Sequence, residues 1–253
     1  MEYLDAVVLG IIQGIAEWLP ISSEAMVTLA GKFLFEAEYQ EALGNAIWLH
    51  SGTTLSALIY FRNDIMKIFS MKDKDLLMFL LIATAATAFT ALPLLFLAFS
   101  VELSEAFFTI IIGCFLVLVA ILQKKSIISG QEKGLKPKNA FIAGLIQGLA
   151  VLPGLSRSGL TISALLSQKY PLKESLRLSF LMSIPVTAGI QIFLPVVEGD
   201  FTVTAPLALG SLVAAGVGLL TIKYLIEFAE RVSFSRATFA LGMIVIFLGI
   251  VLL

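Results

Sequence analysis

The feature that most constrains the fold is a pair of apolar segments that are each interrupted near the middle by proline and a charged residue. The first interruption holds Glu17 and Pro20, and the second holds Pro153 and Arg157. The apolar pieces on either side are residues 6–16, 25–31, 139–152 and 159–168. A through-going transmembrane helix tolerates such a break poorly, whereas a re-entrant hairpin of two half-helices accepts it if its tip is buried in protein or faces water. Both segments are therefore predicted to be re-entrant helix pairs.

The two interrupted segments are also copies of one another. The sequence GIIQGIA at residues 10–16 matches GLIQGLA at residues 144–150, with five of the seven positions identical. Past the prolines, Ser23 falls opposite Ser156 after a shift of one residue. We therefore expect the chain to be a duplication.

The rest of the chain is apolar enough to lie in a bilayer. It is 58% hydrophobic and 14% charged, against about 25% charged residues in soluble domains. A span needs about 20 mostly apolar residues. The stretches that qualify are residues 42–61, 76–101, 106–123, 178–197, 201–222 and 237–253. The predicted fold class is an all-α integral membrane protein with six full spans and two re-entrant hairpins.

The order of these elements predicts an inverted repeat within a single membrane domain. Each repeat holds a re-entrant helix pair and three transmembrane helices, with repeat 1 at about residues 1–125 and repeat 2 at about residues 139–253. A re-entrant pair returns to its own side and three spans do not, so the second repeat is expected to be inserted upside down. In inverted-repeat proteins the site lies near the midplane, where broken helices meet.

The lysine and arginine residues are distributed as this topology requires. Fifteen of the 17 lie in the segments 62–75, 124–138, 169–177 and 223–236. Cytoplasmic loops carry the excess of basic residues, so these segments are predicted to be cytoplasmic. Both termini of this multi-pass plasma-membrane protein are then predicted outside, with the active site facing outwards. The net charge of −1 does not indicate nucleic acid binding.

Charged side chains within the membrane are costly and are therefore functional candidates. Glu17, Glu24 and Arg157 are charged residues at the two hairpin tips. Each tip starts a helix after a proline, so its free backbone N–H groups and positive dipole end favour an anion. An arginine between two such ends matches the oxygens of a phosphate or diphosphate. The carboxylates suit a bridging divalent cation or acid–base chemistry. The hydroxyl groups at the tips belong to Ser22, Ser23, Ser156, Ser158 and Thr161.

The same residues can also be explained by purely structural roles. A serine after proline is often only a helix cap, and Glu17 and Arg157 would also make a structural ion pair between the hairpins. Gln13 and Gln147 would then only tie the half-helices together. Close packing within the chain or in a homodimer is permitted by Gly210, Gly216 and Gly218.

These motifs resemble those of the undecaprenyl-diphosphatase family, membrane enzymes linked to bacitracin resistance. The family's (E/Q)-x-x-x-E motif is matched by Gln13 and Glu17, and its Leu-Pro-x-Ser-Ser segment by residues 19–23. Its P-G-x-S-R-S-x-x-T motif is matched at each fixed position by residues 153–161. The resemblance implies an inverted re-entrant fold. It also implies hydrolysis of undecaprenyl diphosphate to the monophosphate at the outer face, which recycles the lipid carrier.

The resemblance further implies roles for individual residues. Glu17, Ser23 and Arg157 are the implied catalytic residues, with the serine as nucleophile and the arginine as phosphate clamp. Mg²⁺ or Ca²⁺ is the implied cofactor, and Glu17 and Glu24 are candidate metal ligands. The predicted phosphate-binding residues are Gln13, Ser22, Gly154, Ser156, Ser158 and Thr161.

One position departs from the family pattern. Bacterial members usually continue the Ser-Ser pair with Thr-Gly-His, whereas this chain has Glu24, Ala25 and Met26, which indicates an archaeal or divergent member. Methionine cannot transfer a proton, so the family's serine–histidine mechanism needs another group here. Glu24 and His50, the single histidine of the chain, are candidate catalytic residues for that role.

Other functions are compatible with parts of this pattern. Inverted repeats with half-helices are typical of transporters, so the alternative function is a polyprenyl-phosphate transporter or flippase that uses the same phosphate site. An ion channel is disfavoured, because Arg157 would repel cations.

Overall fold

The computed structural model describes residues 1–99, 105–125, 134–152, 154–198, 202–228 and 234–251. In these residues the protein has eleven α-helices, a short 3₁₀ turn at Leu149–Val151 and no strand. The helices are α1 (Tyr3–Ala16), α2 (Ser23–Phe35), α3 (Tyr39–Tyr60), α4 (Arg62–Phe69), α5 (Lys74–Phe99), α6 (Glu105–Lys125), α7 (Pro137–Gly148), α8 (Arg157–Ser167), α9 (Leu172–Glu198), α10 (Ala205–Phe228) and α11 (Phe234–Val251). Three stretches of the described helices are long and apolar enough to cross a membrane, namely Lys74–Leu95, Leu172–Ile192 and Ala205–Glu227. The predicted all-α class is confirmed.

The helices of the two interrupted segments are too short to cross a bilayer. α1, α2, α7 and α8 contain 14, 13, 12 and 11 residues. At about 1.5 Å per residue none exceeds about 21 Å, against about 30 Å of hydrocarbon. α1 ends at Ala16 and α8 begins at Arg157, so helices stop where the sequence predicts the interruptions. Pro153 lies outside the described residues.

The long helices overlap the predicted apolar stretches but begin and end at other residues. α9 begins at Leu172, whereas the span is predicted from residue 178, because the charged first turns also form helix. Arg177 in those turns pairs with Asp64 at 2.8 Å and with Glu174 at 2.8 Å, which stabilises the charges at this end. Asp64 belongs to α4, whose 8 residues are too few for a span and have no counterpart in the sequence-based prediction.

The short helices that open each half pack against long helices of the opposite half. α1 lies against α10, and α7 lies against α5. A Cβ atom added to Gly10 would collide with the carbonyl oxygen of Gly210, and one added to Gly144 would collide with the carbonyl oxygen of Ala83. Small residues at such crossings let helix backbones approach closely. The related sequences GIIQG and GLIQG therefore make related contacts.

Two of the three α10 glycines allow close helix packing within the chain. An added Cβ on Gly210 would lie 2.7 Å from the carbonyl oxygen of Ala6, and one on Gly218 would lie 2.6 Å from Ser56 Oγ. Among the described residues, Gly216 has nothing within 4 Å of the same position. Packing within the chain thus explains two of the three glycines, and the homodimer stays a prediction.

Two further contacts fix the positions of the hairpin tips. Trp18 is 1% exposed, and its ring centroid lies 4.9 Å from that of Phe180 on α9 in an edge-to-face arrangement. Gly154 has a φ of +88°, and an added Cβ would lie 2.6 Å from the Ile112 Cα of α6. Only glycine suits both that backbone conformation and that approach. The first tip therefore rests on α9 and the second on α6.

Gly144→Ala is expected to destabilise the protein, because the added methyl group meets backbone atoms of α5 that cannot move aside. Overpacking of this kind costs about 1–3 kcal/mol. Gly216→Ala is the matched control, since it meets nothing within 4 Å in the described structure and introduces a better helix former. Thermal unfolding in the same detergent measures both variants. A Gly144→Ala variant as stable as Gly216→Ala would contradict this packing.

Candidate active site

An ion pair joins the two hairpin tips. The Arg157 Nη2 atom donates to Glu17 Oε1, and its Nη1 atom donates at 3.4 Å to the carbonyl oxygen of Ser179 on α9. Only 3% of the Glu17 side chain and 14% of the Arg157 side chain are exposed. The hydroxyl group of Ser158 also donates to the carbonyl oxygen of Leu19 at 2.9 Å. The structure thus brings the two predicted tips into contact.

Three more side chains contact the second carboxylate oxygen of Glu17. Ser23 Oγ donates to Glu17 Oε2 at 2.6 Å, and Gln13 Nε2 donates to it at 2.9 Å. His50 Nε2 lies 3.1 Å from the same oxygen. A carboxylate offers about four lone-pair sites in all, so the oxygens of Glu17 are occupied by donors. Glu17 is the centre around which Ser23, His50 and Arg157 are organised.

A strained turn places Ser23 in this cluster. Ser22, just before α2, has a φ of 61° and a ψ of 86°, and such left-handed conformations cost a non-glycine residue about 1–3 kcal/mol. The turn makes Ser23 the first residue of α2. Its hydroxyl group therefore stands at the positive end of a helix. A phosphate attached to or facing Ser23 would be stabilised there.

The hydroxyl groups of the second tip are used within the fold. Ser156 caps α8, since its Oγ accepts from the Gly159 amide at 3.1 Å. Thr161 Oγ1 donates to the carbonyl oxygen of Arg157 at 2.8 Å and shares a hydrogen bond with Ser179 Oγ. These contacts hold the first turn of α8 and so help to position Arg157. The predicted roles of these hydroxyl groups in phosphate binding stay predictions.

Three residues that hold the site in place have no counterpart in the sequence-based prediction, namely Thr53, Thr87 and Ser179. Gln13 Nε2 donates to Thr53 Oγ1 of α3 at 3.4 Å, and Gln147 Nε2 donates to Thr87 Oγ1 of α5 at 2.9 Å. Each glutamine therefore ties its half-helix to a long helix. A periodic signal could have revealed Ser179, because polar residues recur at every fourth position of α9, at Ser175, Ser179, Ser183, Thr187 and Gln191.

The carboxylates of the cluster fit a divalent cation only in part. Glu17 has its oxygens filled by donors and stands between Arg157 and His50, so in this arrangement it does not fit a metal ion. Glu24, in the first turn of α2, is partly exposed and interacts electrostatically with both His50 and Glu17. Among the described residues, no group of three or more His, Cys, Asp or Glu side chains is arranged to hold a metal ion. Glu24 is thus the better candidate ligand.

These features define an integral membrane protein with a buried polar site of carboxylate, serine, imidazole and guanidinium groups. The model of the family described as Bacitracin resistance protein BacA matches residues 6–251, and the chain belongs to that family.

Similar proteins include three archaeal ones that are named undecaprenyl-diphosphatase. The protein of Methanococcoides burtonii is 38% identical over 95% of this chain and 96% of its own length. That of Haloarcula marismortui is 36% identical over 91% of both chains, and that of Pyrobaculum aerophilum is 33% identical over 97% of both. The resemblance indicated by the two motifs is confirmed, and these relatives are archaeal.

Proposed function

We propose that this protein removes the terminal phosphate from a polyprenyl diphosphate of the undecaprenyl type. The products are the monophosphate and inorganic phosphate, so the reaction recycles the lipid carrier. Hydrolysis is supported by the family and by the name that its relatives share. The observation that carries the proposal is the convergence of Glu17, Ser23 and Arg157 from two separate hairpins.

The reacting groups are arranged for transfer of a phosphoryl group to Ser23. The serine oxygen attacks the terminal phosphorus, and its proton passes to Glu17 Oε2, which already accepts its hydrogen bond at 2.6 Å. The bond from that phosphorus to the bridging oxygen breaks, and the lipid monophosphate leaves. Arg157 and the N-terminal ends of α2 and α8 balance the charge on the phosphate oxygens. Water then attacks the phosphorylated serine, the bond from phosphorus to the serine oxygen breaks, and Glu17 returns its proton to that oxygen as inorganic phosphate leaves. Phosphoryl transfer depends mainly on such positioning and charge stabilisation.

Substrate binding exchanges the partners of Arg157 in this proposal. Its guanidinium group is paired with Glu17 in the structure, and an incoming diphosphate offers oxygens that a planar guanidinium binds in pairs. The contact with the Ser179 carbonyl oxygen keeps the arginine at the tip meanwhile. Glu17 is then released from one donor and gains basicity when Ser23 has to lose its proton.

We place the implied Mg²⁺ or Ca²⁺ with the diphosphate and with Glu24. Mg²⁺ is commonly held by one or two carboxylates together with substrate phosphates, and Glu24 is the carboxylate at this site that has room for it. Bound there, the cation would neutralise phosphate charge. Glu17 then interacts with Ser23 and Arg157 and not with the cation.

Transport is not retained as an alternative. The family description and the names of the relatives indicate no movement of a lipid phosphate between leaflets. The hydrogen bond from Ser23 to Glu17 suits a reaction at the phosphate, whereas transport of the lipid does not require it.

The finer architecture belongs to the same proposal. An inverted duplication with re-entrant pairs α1–α2 and α7–α8 is supported by their short helices and by their packing on α10 and α5. Outer termini and an outward-facing site are supported by the basic segments. The site then meets the lipid diphosphate at the outer leaflet.

Arg157→Ala is expected to lower phosphate release by at least about 10²–10³-fold, because a positioned donor to the transition state is lost. Phosphate release from a polyprenyl diphosphate by the protein purified in detergent is the measurement. Arg62→Ala, at the exposed start of α4, is the matched control and should keep its activity. Undiminished release by inserted, folded Arg157→Ala would count against the assignment.

Glu24→Gln is expected to raise the Mg²⁺ concentration for half-maximal activity by about tenfold or more. Removing a partner of a metal site typically weakens metal affinity by about this factor. Chelator should stop phosphate release by the wild-type protein. The control is Glu38→Gln, an exposed residue before α3. An unchanged Mg²⁺ requirement in Glu24→Gln would mean that the cation does not bind to Glu24.

The topology is tested with single cysteines in a Cys114→Ser background, which removes the one native thiol. Lys72→Cys is expected to resist a membrane-impermeant maleimide in intact cells, because it lies on the basic side. Val203→Cys, at a position 46% exposed, is expected to react. The reverse pattern would mean that the protein is inserted the other way.

A further inference from the structure

The turn between α1 and α2 determines how Ser23 meets Glu17. The hydrogen bond of 2.6 Å from Ser23 Oγ to Glu17 Oε2 closes a loop that contains only residues 18–22. Within this loop the amide of Ile21 donates to the carbonyl oxygen of Leu19 at 2.8 Å, so the chain folds back sharply. Because the loop is so short, a change in its conformation moves the serine relative to the carboxylate.

The conformation of this turn is strained and therefore depends on contacts from outside. Ser22 lies within the turn and has a φ of 61°. A residue other than glycine keeps such a backbone conformation only where the surrounding structure over-determines it. The contacts that hold the turn must come from other parts of the chain.

Three helices of the second half hold three consecutive residues of the turn. The ring of Trp18 packs edge-to-face on an aromatic ring of α9. The carbonyl oxygen of Leu19 accepts from Ser158 Oγ of α8 at 2.9 Å. The carbonyl oxygen of Pro20 accepts from Thr238 Oγ1 of α11 at 3.1 Å. Of these three contacts, the one made by α11 lies closest along the chain to the strained residue.

The packing of α11 places Thr238 for this contact. The Thr238 side chain is 0% exposed. Leu241 and Val245, three and seven residues later, lie on the same face of the helix. They pack in the apolar cluster that also contains Ala25 of α2. A buried hydroxyl group costs free energy unless it is hydrogen-bonded, and the bond to the turn offsets that cost.

We infer that Thr238 is a positioning residue for Ser23. Its hydroxyl group holds the Pro20 carbonyl oxygen and so keeps the strained turn in the conformation that presents the serine to Glu17. The inference rests on the proposed function, in which the serine oxygen attacks the terminal phosphorus. A residue of the last described helix thus sets the geometry of a nucleophile near the start of the chain.

Such a role affects turnover more than substrate binding. In the proposed reaction the diphosphate is bound by Arg157 and the N-terminal end of α8, whereas Thr238 acts on the turn that carries the nucleophile. Displacement of a reacting group by about 1 Å can lower a rate by about 10²-fold. Loss of the Thr238 hydroxyl group should therefore lower kcat and leave KM nearly unchanged.

The test is Thr238→Val, which keeps the shape of the side chain and removes its hydroxyl group. We expect kcat for phosphate release from a polyprenyl diphosphate to fall by about 10–10²-fold, with KM and the inhibition by added inorganic phosphate changed by less than about threefold. Thr238→Ser keeps the hydroxyl group and should retain most of the wild-type kcat. An unchanged kcat in Thr238→Val, or a kcat equally low in Thr238→Ser, would overturn the inference.

The matched control is Thr221→Val, because Thr221 of α10 donates at 2.9 Å to the Val217 carbonyl oxygen of its own helix. This variant should keep the wild-type kcat. If thermal unfolding shows that Thr238→Val does not fold, Thr238→Ala takes its place with the same expected loss. A wild-type protein that releases no phosphate would refute the proposed function, whereas an active wild-type protein with a fully active Thr238→Val would refute this inference alone.

Discussion

The buried ion pair between Glu17 and Arg157 is the interaction on which the site depends. It joins residues 140 positions apart in the chain, in surroundings where removing one partner of such a pair costs about 3–5 kcal/mol. The pair keeps both residues charged where neither would be tolerated alone. In the proposed reaction, stability and chemistry therefore rest on the same two side chains.

The arrangement around Glu17 explains how one carboxylate serves several neighbours. One oxygen faces Arg157 and the other faces Ser23, Gln13 and His50. The guanidinium brings positive charge, the imidazole brings a ring nitrogen 3.1 Å from the carboxylate, and the serine brings the oxygen that attacks phosphorus in the proposed reaction. The Glu17 carboxylate thus has hydrogen-bond donors on both oxygens before substrate arrives, as a low-dielectric interior favours.

The sequence predicted the helical class, the positions of both interruptions and the meeting of the tips, because proline and intramembrane charge are local and costly. It did not predict α4, since eight residues lie below the length of a span. It also left His50 undecided, because the distance from α3 to Ser23 depends on how helices pack. In one sequence-based interpretation the glutamines tie the half-helices together, whereas in the structure each donates to a threonine of a long helix. Side-chain partners across helices have no local signature.

The crosswise packing of the short helices has a consequence for biosynthesis. α1 leaves the ribosome long before α10, the helix against which it docks, which begins only at Ala205. The first hairpin must therefore wait in the bilayer until most of the chain has been translated. A prematurely terminated product that lacks α10 cannot seat α1.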